Sequence, residues 1–219
     1  MVQFFIGLDL SLNGSGIVVL QEDDVGLRCI FAKKLVPKGV FGTARLAWLA
    51  DAFSVITSAS FTRPGTFVAV EDYAMRGSGR VASLAEWAGI AKLHVYRCGL
   101  PMLIINNSTL KAYAGGKEKP EVAAGVKRLC AARKLEVDFG TDYDLWDACG
   151  LALMLRDRVK RGDSEAALLV AHAGAKVKSS LTKPKTEAEK WIAHVAKPQW
   201  DTLRGPSPNR KTAPIRTRR

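Results

Sequence analysis

The stretch FIGLDLSLNGSGIVVL, Phe5 to Leu20, places one acidic residue, Asp9, at the end of an apolar run and then returns through glycines into a second apolar run. Short apolar runs bounded by turn residues are strand-like, and Asn-Gly favours a reversal of the chain. Two strands are therefore expected, Gln3 to Asp9 and Ser15 to Leu20, joined through Asn13-Gly14. The Asp9 carboxylate either caps the turn with its own side chain or forms one arm of a site. On this stretch alone the two readings stand level.

The residues that follow extend the pattern. Cys29 to Val36 reads as a third strand, completing an antiparallel meander. From Ala44 to Ile56, Leu46, Leu49, Ala50 and Phe53 fall on one face, as in a helix packed on a sheet. Thr66 to Glu71 (TFVAVE) is a compact buried strand that again ends in an acid. Beyond the loop MRGSGR, Val81 to Cys98 is helical, and Met102 to Ile105 is a continuous apolar strand of the kind that parallel sheets bury. Ser108 is placed to cap a short helix through Ala114, Gly115 to Lys119 reads as a flexible basic loop, and Pro120 as the first residue of a helix to about Lys134. A last helix is expected from near Asp142 to near Arg161, with acids in its first turn and bases in its last, as the helix dipole favours. The expected class is α/β, with a mixed five-stranded sheet flanked by helices.

Composition narrows the function classes. The chain has 219 residues, 47% hydrophobic and 25% charged, which suits a globular protein with a real core. No apolar stretch approaches the roughly 20 residues of a membrane span, and residues 1–15 lack the order of a secretory signal. A cytoplasmic location without a membrane partner is expected. Cys29, Cys98, Cys130 and Cys149 form no CxxC pair and lie in apolar segments, so they read as reduced core thiols. His94, His172 and His194 are not paired with any nucleophile and read as structural or solvated.

The net charge of +12 points to a polyanionic partner. It is unevenly spread: residues 176–219 carry 12 Lys and Arg against Glu187, Glu189 and Asp201, a net of +9, which leaves +3 for residues 1–175. The ending RGPSPNRKTAPIRTRR has too few large apolar residues to order itself and reads as a basic arm, with a short helix, Glu187 to Ala196, before it.

Four carboxylates stand out by position. Asp9 and Glu71 end apolar strands, and Asp144 and Asp147, three residues apart, share one face at the start of the last helix. Individually, Asp144 and Asp147 are accounted for by the helix dipole, with Asp142 as a third helper. Together, and with strands one and four as neighbours, the four converge. Clustered carboxylates repel unless cations bind among them, and an all-oxygen site suits magnesium or manganese.

At this point the chain resembles the RuvC-type Holliday-junction resolvases of the RNase H-like nuclease superfamily. GLDLSLNGSG is similar to their first motif, and VAVEDYAM and DLWDACGLAL to their second and last, over about residues 1–160. The resemblance implies an RNase H-like fold in which Asp9, Glu71, Asp144 and Asp147 are a catalytic tetrad holding two Mg2+ ions, with Mn2+ able to substitute. It implies phosphodiester hydrolysis in branched DNA, chiefly four-way junctions, by a homodimer that makes paired symmetric cuts. Lys111 and Lys119 fall in the basic segment, Leu110 to Val122, where the family has lysines near the DNA. Arg76, Arg80 and Lys117 join them as bases that would offset the acidic site, although each of the five reads equally well as surface solubilisation, and Tyr73 is the nearest counterpart of the family's aromatic wedge. The pattern also departs from the family: Leu10 stands where bacterial members often have proline, and Asp72 where a neutral residue is common.

The expected organisation is a nuclease domain at 1–162 followed by a short helical segment and a basic DNA-binding tail at 163–219. Trp48 and Trp87 lie on apolar helix faces and read as core or subunit interface; the dimer is expected through the Val81 to Cys98 helix with Trp87. Three other readings stay open: a broader debranching nuclease, a non-catalytic DNA-binding module, and an actin- or sugar-kinase-like ATPase. The last needs a second glycine-rich phosphate motif, and none is found in the sequence.

Overall fold

Ten elements follow one another along the chain: β1 (Gln3–Asp9), β2 (Ser15–Glu22), β3 (Leu27–Leu35), α1 (Gly42–Ser58), β4 (Thr66–Asp72), α2 (Val81–Arg97), β5 (Met102–Asn106), α3 (Asn107–Ala114), α4 (Lys119–Ala132) and α5 (Tyr143–Lys160). They come from a computed structural model that describes residues 2–58, 65–72 and 81–162. The chain divides into two units, Met1–Ala175 and Lys176–Arg219; the described residues all belong to the first, and the expected tail lies outside them.

The strands form one mixed sheet in the order β3-β2-β1-β4-β5. β1 pairs antiparallel with β2, with Asp9 opposite Gly16, and parallel with β4, with Leu8 opposite Val70. β2 pairs antiparallel with β3, and β4 parallel with β5. This is the meander followed by two parallel strands that the apolar runs predict.

Side chains alternate across each strand, so β1 feeds two cores. Phe4, Ile6 and Leu8 join Ile17, Val19, Val68 and Val70 against Leu49, Phe53, Trp87 and Val95 of α1 and α2. Phe5 joins Val18, Leu20, Phe67 and Ile105 against Leu110, Val126, Trp146 and Leu151 of α3, α4 and α5. Fully burying one such large side chain stabilises the fold by about 1.5–3 kcal/mol, so both helix layers are held strongly.

The position of α5 follows from two glycines. A Cβ on Gly7 would stand 1.8 Å from the carbonyl oxygen of Ala148, and one on Gly16 would stand 2.2 Å from that of Asp144. Only glycine at these points lets the helix backbone lie directly on β1 and β2. The far end of α5 is tied down by polar contacts. Arg156 Nη2 donates to Glu22 Oε1 at 2.6 Å, Arg133 Nη2 donates to Asp157 Oδ2 at 2.5 Å, and the Tyr113 hydroxyl donates to the same oxygen at 2.8 Å.

Several local expectations are corrected. The residue capping α3 is Asn106, whose Oδ1 accepts from the Ser108 backbone N–H at 2.9 Å, so Ser108 is capped rather than capping. The segment expected as a loop from Gly115 to Lys119 is a short connection, Gly115 to Glu118, because Lys119 already belongs to α4. Gly115, at φ 72°, ends α3 in the left-handed region, and Glu118 and Glu121 form a reciprocal capping box that starts α4 at Lys119. Pro120 is therefore the second residue of α4.

Trp87 is fully buried, and its Nε1 donates to Ser15 Oγ at 3.0 Å. It belongs to the core and is not available to a partner subunit; among the described side chains of α2 the exposed large apolar ones are Leu93 and Tyr96. Trp48 on α1 is partly exposed. Cys130 and Cys149 are buried free thiols with sulfurs 3.8 Å apart, whereas Cys29 and Cys98 are free but only half-buried, so the core expectation holds for two of the four. His94 packs edge-on against Phe53. Among the described residues no helix is long and apolar enough to cross a membrane.

Candidate active site

The two strand-end acids meet because β1 and β4 are parallel neighbours in register. Phe5, Gly7 and Asp9 face α5, and by the same alternation so do Phe67, Ala69 and Glu71. Asp72 points to the opposite face and pairs with Lys92 of α2 at 3.5 Å, which removes it from the site. α5 enters over Gly16 and presents Asp144 and Asp147 to the same sheet end. All four carboxylates singled out in the sequence are thus brought together.

Asp9 and Asp147 are each only 6% exposed. The Asp9 carboxyl hydrogen-bonds that of Glu71; burial first, then this bond and the charges of Glu71, Asp147 and Asp144, hold Asp9 well above the usual carboxylate range. Burial pushes Asp147 up to about 6, with the Glu71 and Asp144 charges adding and the Lys119 and Lys111 charges opposing. Asp144 goes the other way. Burial alone would raise it, but bonds from Lys34 and Lys119 outweigh that and keep it below its ordinary value.

Two of the residues that shape this site were not singled out in the sequence. Lys34 of β3 lies opposite Gly16, which in turn lies opposite Asp9, so the three sit on one rung across the sheet. Its Nζ stands 2.6 Å from Asp144 Oδ2 and 3.3 Å from Asp142 Oδ1. Asn107, the first residue of α3, donates from Nδ2 to Glu71 Oε1. No local signal marks either one: Lys34 stands among the charged residues of a half-exposed strand, and Asn107 beside another asparagine.

Of the expected DNA-contacting bases, Lys119 Nζ lies 2.9 Å from Asp144 Oδ1. Lys111 and Lys119 also line a small cavity of about 80 Å³ with Asn107, Leu110, Val122 and Asp147. Lys117 is exposed, and it is its backbone N–H, at 2.7 Å from Glu121 Oε2, that is engaged. Tyr73, Arg76 and Arg80 lie outside the described residues.

Among the described residues no three potential ligands are gathered tightly enough to hold a metal ion as the side chains stand. The donor chemistry nonetheless suits one. Asp9, Glu71 and Asp147 are oxygen donors on one sheet end, two of them buried, and among the described residues no lysine or arginine forms an ion pair with any of the three. Such a set is matched by a hard divalent cation.

Neither a protein-family model nor a curated protein matches the sequence. Solved structures do match the fold. The structure of T. thermophilus RuvC in complex with Holliday junction substrate aligns with a TM-score of 0.57 at 17% identity, over 73% of this chain and 96% of that one. The chain has the RuvC fold. A second Thermus thermophilus RuvC structure aligns equally well, with a TM-score of 0.57 at 19% identity over 74% and 97% of the two chains. The fowlpox virus Holliday junction resolvase is a more distant likeness, with a TM-score of 0.44 at 11% identity. The RuvC fold accounts for the mixed five-stranded, RNase H-like sheet, and the carboxylates lie where β1, β4 and α5 of that fold meet.

Proposed function

We propose that this protein is a metal-dependent, structure-selective DNA endonuclease that resolves four-way junctions by paired symmetric phosphodiester hydrolysis. The observation that carries this reading is the convergence of Asp9, Glu71, Asp144 and Asp147 at one end of a RuvC-fold sheet. Like charges buried together are costly, and among the described residues three of these four form no ion pair; a site built this way calls for divalent ions.

Asp9, Glu71 and Asp147, joined by Asp144, would hold two Mg2+ ions, with Mn2+ able to replace them. Such ions, when bound, supply activation of water and neutralisation of the leaving oxygen in an in-line displacement at phosphorus. The chain's own residues do the rest. Asn107 fixes the Glu71 carboxylate, Lys34 and Lys119 steady Asp144, and Lys111 and Lys119 border the cavity in which a backbone phosphate is received. Arg76, Arg80 and Lys117 supply further phosphate contacts, and Tyr73 serves as the wedge at the branch point.

Two symmetric cuts need two sites related by a two-fold axis, so a homodimer is proposed, with Leu93 and Tyr96 of α2 as its exposed apolar residues. Residues 1–162 form the nuclease domain and 163–219 a basic arm that adds affinity by counterion release. The protein acts in the cytoplasm, associated with DNA.

The test is Mg2+-dependent cleavage of an end-labelled synthetic four-way junction beside a three-way junction, a flap and a plain duplex. Paired nicks on the four-way junction alone establish the resolvase. Cutting of several branched forms replaces it with a debranching nuclease, and binding without cutting removes catalysis.

A further inference from the structure

We infer that Lys34 is a positioning residue whose ammonium group acts as a built-in counter-cation on Asp144, so that the site takes its two divalent ions with unequal affinity. The inference rests on the proposal that the four carboxylates bind divalent ions.

The geometry divides the site in two. Both oxygens of Asp144 are taken by ammonium groups: Oδ2 by Lys34 at 2.6 Å and Oδ1 by Lys119 at 2.9 Å. Asp9, Glu71 and Asp147 form no such pair among the described residues. An ion arriving among these three displaces no ammonium group. An ion arriving at Asp144 must first displace an ammonium.

The two lysines are not equivalent. Lys119 is 58% exposed and lines the cavity assigned to phosphate, so substrate can draw it away. Lys34 is held at a second point by Asp142, the residue that caps α5. Its side chain reaches that point across Gly14, where a Cβ would come within 2.4 Å of Lys34 Cε. The path from β3 to the start of α5 is therefore built for this lysine. By bridging Asp142 and Asp144, Lys34 fixes the first turn of α5 against the sheet, and it sets how readily Asp144 is given up to an ion.

The experiment is calorimetric titration of Mn2+ alone, without DNA, into chelator-treated full-length protein, comparing the wild type with Lys34→Met, Lys34→Arg and Asp144→Asn. Wild type is expected to bind one ion tightly and a second at least about tenfold more weakly, the scale on which neighbours of metal ligands act. Lys34→Met should tighten the weak site roughly tenfold and leave the tight one unchanged. Lys34→Arg should behave as wild type, and Asp144→Asn should keep only the tight site. Two equal sites in wild type, or a weak site indifferent to Lys34→Met, overturns the inference while leaving metal binding intact. No Mn2+ binding by wild type overturns the metal-dependent function and this inference together. Because the wild-type and Asp144→Asn titrations bear on the inequality by themselves, a poorly folded Lys34→Met protein does not rescue it.

Discussion

The carboxyl groups of Asp9 and Glu71 meet at hydrogen-bond distance where two parallel strands, β1 and β4, end side by side. Two carboxyls in that relation share either a proton or a cation. Burial, the Glu71 contact and the surrounding carboxylate charges hold Asp9 well above the usual range, so in the metal-free site it keeps its proton to higher pH than a free aspartate. Ion binding must expel whatever proton Asp9 carries, since metals bind the deprotonated ligand. Mn2+ titrations in buffers of different ionisation enthalpy are expected to show proton release on ion binding that grows as pH falls. Asp9→Asn should abolish that release along with cleavage, and cleavage at the wild-type rate would remove Asp9 from the mechanism.

The same burial fixes how stability depends on pH. Asp147 titrates at about 6 in the folded protein, above the value near 3.9 of an unfolded aspartate. Between those values the native state holds the proton and the unfolded state does not, so this group's contribution falls as pH rises from about 4 to 6. Asp144, shifted down, works in the opposite sense: its contribution is present above the unfolded value and is lost as pH falls. In chelator at pH 7.5, Asp147→Asn should therefore be more stable than wild type, by on the order of 1–3 kcal/mol, while being inactive. Thermal melts from pH 4 to 8 check this; an unchanged Tm would mean that the Asp147 charge is already compensated.

Gly16→Ala tests the seating of α5. The added methyl would stand 2.2 Å from the Asp144 carbonyl, so the helix start must move. The expected cost is about 1–3 kcal/mol of stability and on the order of a hundredfold in cleavage, because small displacements of reacting groups are costly. Gly89→Ala, where a Cβ meets nothing within 4 Å on α2, is the control and should stabilise by about 0.5–1 kcal/mol.

Asn107→Ala removes the donor to Glu71 but leaves the Asn106 cap of α3 in place. A loss of about 10- to 100-fold in Mn2+ affinity or cleavage is expected, with little change in Tm. Asn106→Ala should do the reverse, costing about 1 kcal/mol through the lost cap. Equal effects of the two variants would contradict this division of roles.

Deleting residues 176–219 removes a net charge of +9. Junction binding should weaken, and the slope of log affinity against log salt should flatten by about 0.9 for each phosphate that the arm had neutralised. An unchanged slope would show that the arm does not touch DNA.

The amino-acid order by itself determined the elements and four members of the candidate site. Apolar runs ending at Asp9 and Glu71, and the three-residue spacing of Asp144 and Asp147, are local patterns, and burial, turn formation and helix periodicity act over a few residues. What only the tertiary structure decided depends on register and on which surfaces face one another. That Glu71 and not Asp72 enters the site follows from the face of β4 that α5 covers. That Lys34 reaches Asp144 follows from pairing across three strands, and that Trp87 is core follows from α2 packing over Ser15. Strand register and helix packing are set by the whole core at once, so residues far apart in the chain, such as Lys34 and Asp144, carry no local mark of their meeting.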